Sequence, residues 1–186
     1  MYKKDILWAP WRLAYIRQIP PKGCFLCKAL KAKAGDEKNY LVYRGKRCFV
    51  ILNLFPYNNG HIMVVPNRHI STIENLSPEE EREFMFLIKT SVKILGKVLN
   101  PQGFNIGINI GRAAGAGLKT HIHMHVVPRW TGDTNFAPVV CKTKIISQSL
   151  EQLYGLLYAE FKKIKKGRKA LNPNPSHFKI SKGSSG

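Results

Sequence analysis

The chain has 186 residues, of which 44% are hydrophobic, and its 30 Lys and Arg against 11 Asp and Glu give a formal net charge of +19. This length suits one domain with a hydrophobic core and a tail, and the hydrophobic fraction excludes an intrinsically disordered chain. No apolar run approaches the roughly 20 residues of a transmembrane helix, and residues 1–16 lack the apolar centre and cleavage site of a signal peptide. We therefore expect a cytoplasmic globular protein.

The positive charge is concentrated toward the C-terminal end, where residues 161–186 contain eight Lys or Arg and no Asp or Glu. A basic segment of this kind can contact phosphates, including those of nucleic acid. A solvated, lysine-rich surface explains the same charge without any partner. The charge alone does not distinguish between these two interpretations.

The first third of the chain predicts a short helix over residues 27–34, ended by Gly35, and then three strands. Turn-forming residues separate the strands, with a tight turn at Gly45 between the first two. The three strands are predicted at residues 40–45, 47–53 and 61–66.

Residues 77–100 predict the longest helix. Ser77 suits the N-cap, Pro78 suits the first turn, and Glu80 completes a capping box with Ser77. Apolar side chains recur at helical spacing through this segment, so we expect one face of the helix to pack on the sheet.

Two further strands and a helix are predicted in the second half of the chain. Residues 103–111 alternate, with one apolar face that comprises Phe104, Ile106, Ile108 and Ile110. A glycine-rich loop over residues 111–119 leads into a strand over residues 121–127, and a second helix covers residues 147–166. About five mostly consecutive strands with short links predict an antiparallel sheet in an α+β domain, with one long helix packed on it and a C-terminal helix.

Three of the six histidines occupy alternate positions of the run KTHIHMHVVPRW. Successive side chains of a strand point to opposite faces, so His121, His123 and His125 share one face while the apolar residues between them face the core. Imidazoles this close together suppress one another's protonation, so at least one of them is neutral near pH 7. A neutral imidazole can serve as a nucleophile, a base or a metal ligand.

Three interpretations of this histidine face are possible from the residues alone. It is a polar face exposed to solvent, or a metal site whose ligands lie two residues apart, or a site for phosphoryl or nucleotidyl transfer. The preceding loop, residues 111–119, favours the third interpretation, because its glycines and alanines offer backbone N–H groups with little side-chain bulk.

Several segments match a known family in order along the chain. HIHMHVV, residues 121–127, resembles the His-x-His-x-His-apolar-apolar signature of the histidine triad (HIT) family of nucleotide hydrolases and transferases. ILNLFPYNNGHIMVVPNRH, residues 51–69, resembles the strand–loop–strand nucleotide segment of that family. LWAPWR near the start and VVPRWTGDTNF after the histidines resemble the branch that contains diadenosine tetraphosphate phosphorylases and related hydrolases. The resemblance covers roughly residues 5–165 and implies a HIT-like fold.

This resemblance implies that His123 attacks the α-phosphate of a nucleotide and forms a nucleotidyl-histidine, which water or another acceptor then discharges. Imidazole is a better nucleophile than water, and imidazolium is a good leaving group, so one difficult displacement becomes two easier ones. The other ring nitrogen of His123 is expected to be held by the backbone carbonyl near His121. His125 is expected to stabilise charge on the α-phosphate oxygens, and Asn109 to contact the phosphates or the leaving group.

The resemblance also implies residues for substrate binding. Asn53 matches the position of an Asp or Asn that bonds the ribose hydroxyls, although it is also a plausible turn residue. His61 is expected beside the triad as an orienting or packing residue. Many relatives carry Ser or Thr in the loop before the triad, whereas this chain has Gly117 near that position. The backbone N–H of Gly117, or the side chain of Lys119 or Thr120, then serves the leaving group.

Four cysteines in a chain of this length do not indicate a disulfide framework. Cys48 lies in a predicted strand and Cys141 follows an apolar run, so we expect ordinary buried thiols at both positions. Cys24 and Cys27 form a Cys-x-x-Cys pair, which occurs at helix starts and in redox motifs as well as at metal sites.

The resemblance favours the metal site. In metal-bearing relatives a histidine after the third strand and the first triad histidine complete the zinc ligands, and these positions are His69 and His121 here. Cys24, Cys27, His69 and His121 are therefore expected to form a closed structural zinc site. Such a site holds the N-terminal segment on the sheet and keeps His121 neutral.

These expectations divide the chain into a HIT domain with an N-terminal zinc-binding segment, residues 1–166, and a basic, flexible tail, residues 167–186. The resemblance favours adenine nucleotides as substrates, with no organic cofactor, and implies a homodimer. A nucleotide- or RNA-binding module with little turnover is the alternative function, favoured by the basic tail. A purely structural zinc protein would leave His123, His125 and Asn109 without a role.

Overall fold

The computed structural model describes residues 23–32, 35–134 and 146–171. The LWAPWR segment, Cys141 and the chain beyond Leu171 lie outside the described residues, so the expectations for them stay predictions. The described helices are α1 (Phe25–Lys31), α2 (Pro78–Leu99) and α3 (Leu150–Leu171). The described strands are β1 (Leu41–Arg44), β2 (Cys48–Leu52), β3 (Ile62–Pro66), β4 (Gly103–Ile108) and β5 (Met124–Arg129). None of the helices described is long and apolar enough to cross a membrane.

The five strands form one sheet in the order β1-β2-β3-β5-β4, and all neighbouring pairs are antiparallel. The long helix α2 connects β3 to β4, and α3 follows β5 along the chain. The predicted α+β class, the antiparallel sheet and the two long helices are therefore confirmed.

The two faces of the sheet are covered differently. Helices α2 and α3 pack on one face, where Leu87 and Leu157 join a core that includes Val64 and Val126. The short helix α1 covers β1, β2 and β3 on the opposite face through Leu26 and Ala29. The histidine of β5, His125, pairs with Met63 of β3, whose side chain belongs to this second cluster. The triad therefore lies on the α1 side of the sheet.

Two strands are shorter than the alternation predicts. β4 ends at Ile108 rather than at residue 111, and β5 begins at Met124 rather than at residue 121. Neither β3 nor β4 pairs with residues before Met124. Ile122 instead donates its backbone N–H to the Ile70 carbonyl at 2.7 Å. The prediction of a continuous histidine strand was thus wrong, because the chain leaves the sheet before Met124 to bond with the segment after β3.

The helix boundaries also differ from those predicted. α1 begins at Phe25, earlier than predicted, because the Sγ of Cys24 accepts the Cys27 N–H at its N-terminus. At the start of α2 the predicted capping box is present, with Ser77 and Glu80 bonded reciprocally. α3 continues to Leu171, so its backbone crosses the predicted domain boundary after residue 166.

The tight turn between β1 and β2 is held by a buried carboxylate from α2. The two Glu83 oxygens accept the backbone N–H groups of Lys46 at 3.2 Å, Cys48 at 3.1 Å and Arg47. A Cβ added at Gly45 would lie 2.5 Å from the Cys48 carbonyl oxygen and 2.7 Å from Glu83 Oε1, so only glycine fits this turn. Glu83 therefore joins the β1–β2 hairpin to the main helix.

Replacing Glu83 with glutamine should lower the free energy of unfolding by about 1–3 kcal/mol, since a neutral amide loses the charge-assisted bonds to the three N–H groups of the turn. The matched control is Glu79→Gln, which removes an exposed ion pair to Arg82 on the same helix and should change stability by less than about 0.5 kcal/mol. Urea unfolding measures both, and equal losses in the two variants would contradict this role of Glu83.

Candidate active site and metal cluster

His125 is the triad member that lies within a strand. On β5 it pairs with Met63 of β3 on one side and with Gly107 of β4 on the other. Its side chain is 9% exposed. A Cβ added at Gly107 would meet no heavy atom within 4 Å, so the sheet surface beside the His125 ring is open. A substrate can therefore approach the histidines from the β4 side.

His123 is bonded to the backbone of its own segment. Its Nδ1 lies 2.9 Å from the His121 carbonyl oxygen. A carbonyl oxygen can only accept, so Nδ1 carries the proton and Nε2 keeps a free lone pair. The His123 ring meets the His125 ring at 4.9 Å between centroids, nearly edge to face. This geometry matches the carbonyl contact that was expected for a histidine nucleophile.

His61 lies at the end of the β2–β3 loop and is only 1% exposed. Its Nε2 is 2.9 Å from His125 Nδ1, and its Nδ1 accepts the Tyr57 backbone N–H at 3.1 Å. The Tyr57 ring, itself exposed, packs against the His61 ring with the centroids 4.7 Å apart and the planes tilted by 33°. Because His61 is buried against His125, it supports the triad and does not line the open surface. The role of Tyr57 was not predicted, since a backbone donor leaves no side-chain signal in the sequence.

Burial keeps the histidines of this cluster neutral. It lowers the pKa of His61 to about 3, with the charges of His125 and His123 acting in the same direction. It lowers the pKa of His125 to about 4, and the nearby His123 contributes. Burial also lowers the pKa of His123, against the opposing effect of its bond to the His121 carbonyl. Near pH 7 His123 is therefore a neutral ring with its proton on Nδ1 and an available lone pair on Nε2.

The structure also describes the other residues that are expected to contact substrate, Asn53, Asn109 and Gly117. The Asn53 side chain accepts the Phe55 N–H at 2.9 Å and places its amide nitrogen 3.3 Å from His61 Nδ1, so it shapes the loop before β3. Asn109 is half-buried and directly follows β4, one residue past the last pair with β5. Gly117 is exposed in the loop before the triad.

The four predicted metal ligands converge next to the triad. Ligand atoms of Cys24, Cys27, His69 and His121 all lie within 4.8 Å of one another. His121 Nδ1 is 3.3 Å from Cys24 Sγ and 3.4 Å from Cys27 Sγ, and His69 Nδ1 is 3.3 Å from Cys27 Sγ. In the described part of the chain, these four residues are the group that could hold a metal ion.

These separations fit zinc. Zn–S bonds of about 2.3 Å and Zn–N bonds of about 2.0–2.1 Å in a tetrahedron place ligand atoms roughly 3.3–3.8 Å apart. His121 also donates from Nε2 to the Pro66 carbonyl at 2.9 Å, which leaves Nδ1 without a proton and pointed at the two thiols. Ligand histidines in metal sites are oriented by this kind of bond on the second ring nitrogen.

Acid should lower the free energy of unfolding over a pH range that the pKa values of these histidines determine. The folded pKa of His61, about 3, lies below its ordinary value of 6.5, so the unfolded chain binds the proton first. The free energy of unfolding therefore falls as the pH drops from about 6.5 toward 3, by up to about 1.4 kcal/mol per pH unit for each such histidine. His61→Gln should flatten this slope.

Glu80 provides the control for that measurement. Arg68 bonds to its carboxylate and lowers its pKa from 4.5 to about 2, so its contribution is lost only below about pH 4.5. Glu80→Gln should keep the slope between about pH 6.5 and 4.5, and urea unfolding across this range should separate the two variants. A His61→Gln slope equal to that of the unmodified protein would contradict the assignment.

The chain is similar to known proteins in both sequence and structure. The HIT domain model matches residues 34–132. The AP-4-A phosphorylase of Mycobacterium tuberculosis is 40% identical over 162 residues, which cover 83% of each chain. A Zn-bound histidine triad family protein from Mycobacterium smegmatis superimposes with a TM-score of 0.61 and 26% identity over 78% of this chain and 97% of that one.

A third match shows the fold alone. The structure of a hypothetical histidine triad nucleotide-binding protein from Sulfolobus tokodaii gives a TM-score of 0.62 at 23% identity, covering 76% of this chain and 94% of that one. The HIT domain match and the relative that is 40% identical over 162 residues show the family as well as the fold. The chain belongs to the HIT domain family and is an enzyme of that family.

Proposed function

We propose that this protein transfers a nucleotidyl group from a dinucleoside polyphosphate, such as diadenosine tetraphosphate, through a covalent intermediate on His123. The observation that carries the proposal is the 2.9 Å bond between His123 Nδ1 and the His121 carbonyl, which leaves the Nε2 lone pair of a buried, neutral ring free. The identity to a protein named AP-4-A phosphorylase supports the choice of substrate.

The first step forms a bond between His123 Nε2 and the α-phosphorus, while the bond from that phosphorus to the bridging oxygen breaks. The electron pair of the broken bond leaves with the other nucleotide. The His121 carbonyl keeps its bond to Nδ1–H and stabilises the positive charge that develops on the ring. His125, two residues further along the chain and with its ring 4.9 Å from the His123 ring, stabilises the negative charge on the α-phosphate oxygens.

In the second step the nucleotidyl group is transferred from His123 to an acceptor. Water or inorganic phosphate attacks the α-phosphorus, the bond to Nε2 breaks, and His123 returns to its neutral form. Water would give AMP and ATP from diadenosine tetraphosphate, whereas phosphate would give ADP and ATP. Asn53 is proposed to contact the ribose, and Asn109 and the Gly117 N–H are proposed to contact the phosphates or the leaving group.

We propose that Cys24, Cys27, His69 and His121 bind a structural zinc ion. The ligand separations and the Nε2 bond of His121 to Pro66 support it, as does the likeness to a Zn-bound histidine triad protein. Bound zinc would supply a rigid link between α1 and the segment that contains His123, with no open position for chemistry.

We also propose a homodimer that uses the free edge of the sheet. β4 is one of the two terminal strands, and Ile106 on it and Ile110 just after it are each 45% exposed. A strand edge with exposed apolar side chains favours pairing with another chain.

Product analysis should establish the reaction. The protein is incubated with diadenosine tetraphosphate, with and without inorganic phosphate, and the nucleotides are separated by chromatography. ADP with ATP only in the presence of phosphate identifies a phosphorylase, and AMP with ATP regardless of phosphate identifies a hydrolase. His123→Asn should lower kcat by about 10³-fold or more, because water must then attack without a covalent step.

The matched control for the nucleophile is His177→Asn, which changes the one histidine outside the triad, the proposed zinc ligands and His61, and should lower turnover far less. A radiolabelled α-phosphate should remain attached to the unmodified protein after an acid-free quench and should be absent from His123→Asn. Full turnover by His123→Asn would contradict the mechanism, and the absence of any product from this substrate would contradict the proposed function.

Cys27→Ser should lower zinc affinity by more than about 100-fold and reduce the metal content of the purified protein, since it removes one of four ligands. The matched control is Cys48→Ala, because Cys48 is buried in β2 away from the ligand cluster and should leave the zinc content unchanged. Metal content is measured by mass spectrometry and thermal unfolding by calorimetry. Equal zinc in the two variants would contradict the assignment.

A further inference from the structure

A cluster of hydrogen bonds ties the loop before β3 to the turn after β5. Asp133 lies in this turn, with a side chain that is only 7% exposed, and it accepts two bonds from the Arg129 guanidinium at 2.7 and 2.9 Å. Asn58, 6% exposed, donates from Nδ2 to Asp133 Oδ2 at 2.7 Å and to the Pro128 carbonyl at 3.0 Å. We call Asn58, Arg129 and Asp133 the clamp.

The clamp fixes a loop that packs closely against β5. Gly60 adopts a φ of +79°, and a Cβ added there would lie 2.9 Å from Pro128 Cγ. The backbone N–H of His61 returns to the Asn58 carbonyl at 3.2 Å, which closes the turn between them. Asn58 is thus held at both its side chain and its carbonyl, and it directly follows Tyr57, whose N–H donates to His61 Nδ1 at 3.1 Å.

The Tyr57 N–H, together with the Asn53 amide nitrogen 3.3 Å from the same Nδ1, indicates where the proton of His61 lies. A backbone N–H can only donate, so His61 Nδ1 must accept and the proton of the neutral ring must be on Nε2. His61 Nε2 is 2.9 Å from His125 Nδ1, so Nε2–H donates and His125 Nδ1 accepts. The proton of neutral His125 is therefore on its own Nε2.

We propose that the clamp is a positioning device for His125. It holds the Tyr57 N–H on His61, and through His61 it fixes the ring and the proton of His125, so that the His125 Nε2–H donates to the phosphate oxygens. His123 has the opposite arrangement, with its proton on Nδ1 and its lone pair on Nε2. The function of this donor rests on the proposed nucleotidyl transfer, whereas the proton positions do not depend on it.

The arrangement has a direct spectroscopic signature. In the zinc-loaded, substrate-free protein labelled with ¹⁵N, the imidazole shifts should place the protons on Nε2 of His61 and His125 and on Nδ1 of His123. Scalar coupling across hydrogen bonds should connect the Tyr57 amide nitrogen to His61 Nδ1, and His61 Nε2 to His125 Nδ1. A His125 proton on Nδ1 would overturn the proposal even if the enzyme is active, and the expected pattern in an inactive protein would contradict only the proposed function.

Asn58→Ala tests the clamp itself. It should weaken or remove both couplings and lower kcat by roughly 10- to 100-fold with little change in KM, since a donor to the reacting phosphate loses its fixed position. The matched control is Asn105→Ala, which removes an exposed amide that accepts from the same Arg129 guanidinium at 2.5 Å but does not contact the loop before β3. It should leave the couplings and kcat unchanged.

Other outcomes would overturn the role of the clamp. These are unchanged couplings in Asn58→Ala, whatever its kcat, or an equal loss of kcat in Asn105→Ala. If Asn58→Ala does not fold, the isosteric Asp133→Asn replaces it, because a neutral amide weakens the two bonds from Arg129 while keeping the shape of the side chain. Asp133→Asn should then show the same weakening of the couplings and the same fall in kcat with little change in KM.

Discussion

The site depends on the position of one fully buried residue, His121. Its ring places Nδ1 between the thiols of Cys24 and Cys27, and its Nε2 donates to the Pro66 carbonyl at the end of β3. Its backbone carbonyl accepts the proton of His123 Nδ1. A shift of His121 would therefore change the cluster of Cys24, Cys27, His69 and His121 and the proton position of His123 together.

This arrangement is possible because the hydrogen-bonded pairing of β5 with its neighbours begins only at Met124. Within a sheet, a strand carbonyl is normally used by the neighbouring strand. Before Met124 the chain leaves both neighbours and is held by the bond between the Ile122 N–H and the Ile70 carbonyl. The His121 carbonyl can then face the ring of His123, and His121 itself reaches His69 in the segment that follows β3.

Much of this architecture follows from the sequence because it is local. A period of two predicted which residues of β4 and β5 share a face, and the Ser77 and Glu80 pair predicted the start of α2. The four residues of the metal cluster, 97 positions apart at the extremes, were brought together only by the resemblance to the HIT family. No spacing rule connects Cys24 to His121.

What the sequence did not predict depends on contacts between distant segments. The alternation of apolar and polar residues extends back through residues 121–123. Nothing in the local sequence therefore indicates that the pairing of β5 begins only at Met124. Glu83 resembles the other acidic residues of α2 until the β1–β2 turn is placed against it. Asn58 and Asp133 are 75 residues apart, and the Tyr57 N–H has no side-chain signature at all.

Burial and backbone contacts control two separate properties of the histidines. Burial lowers the pKa values and so removes the charge, but a neutral imidazole can still carry its single proton on either nitrogen. Side-chain partners such as a second histidine do not settle that choice, since they can donate or accept. A backbone carbonyl only accepts and a backbone N–H only donates, so the His121 carbonyl fixes His123 one way and the Tyr57 N–H fixes His61 and His125 the other. Adjacent neutral rings can thus present a lone pair and a proton side by side.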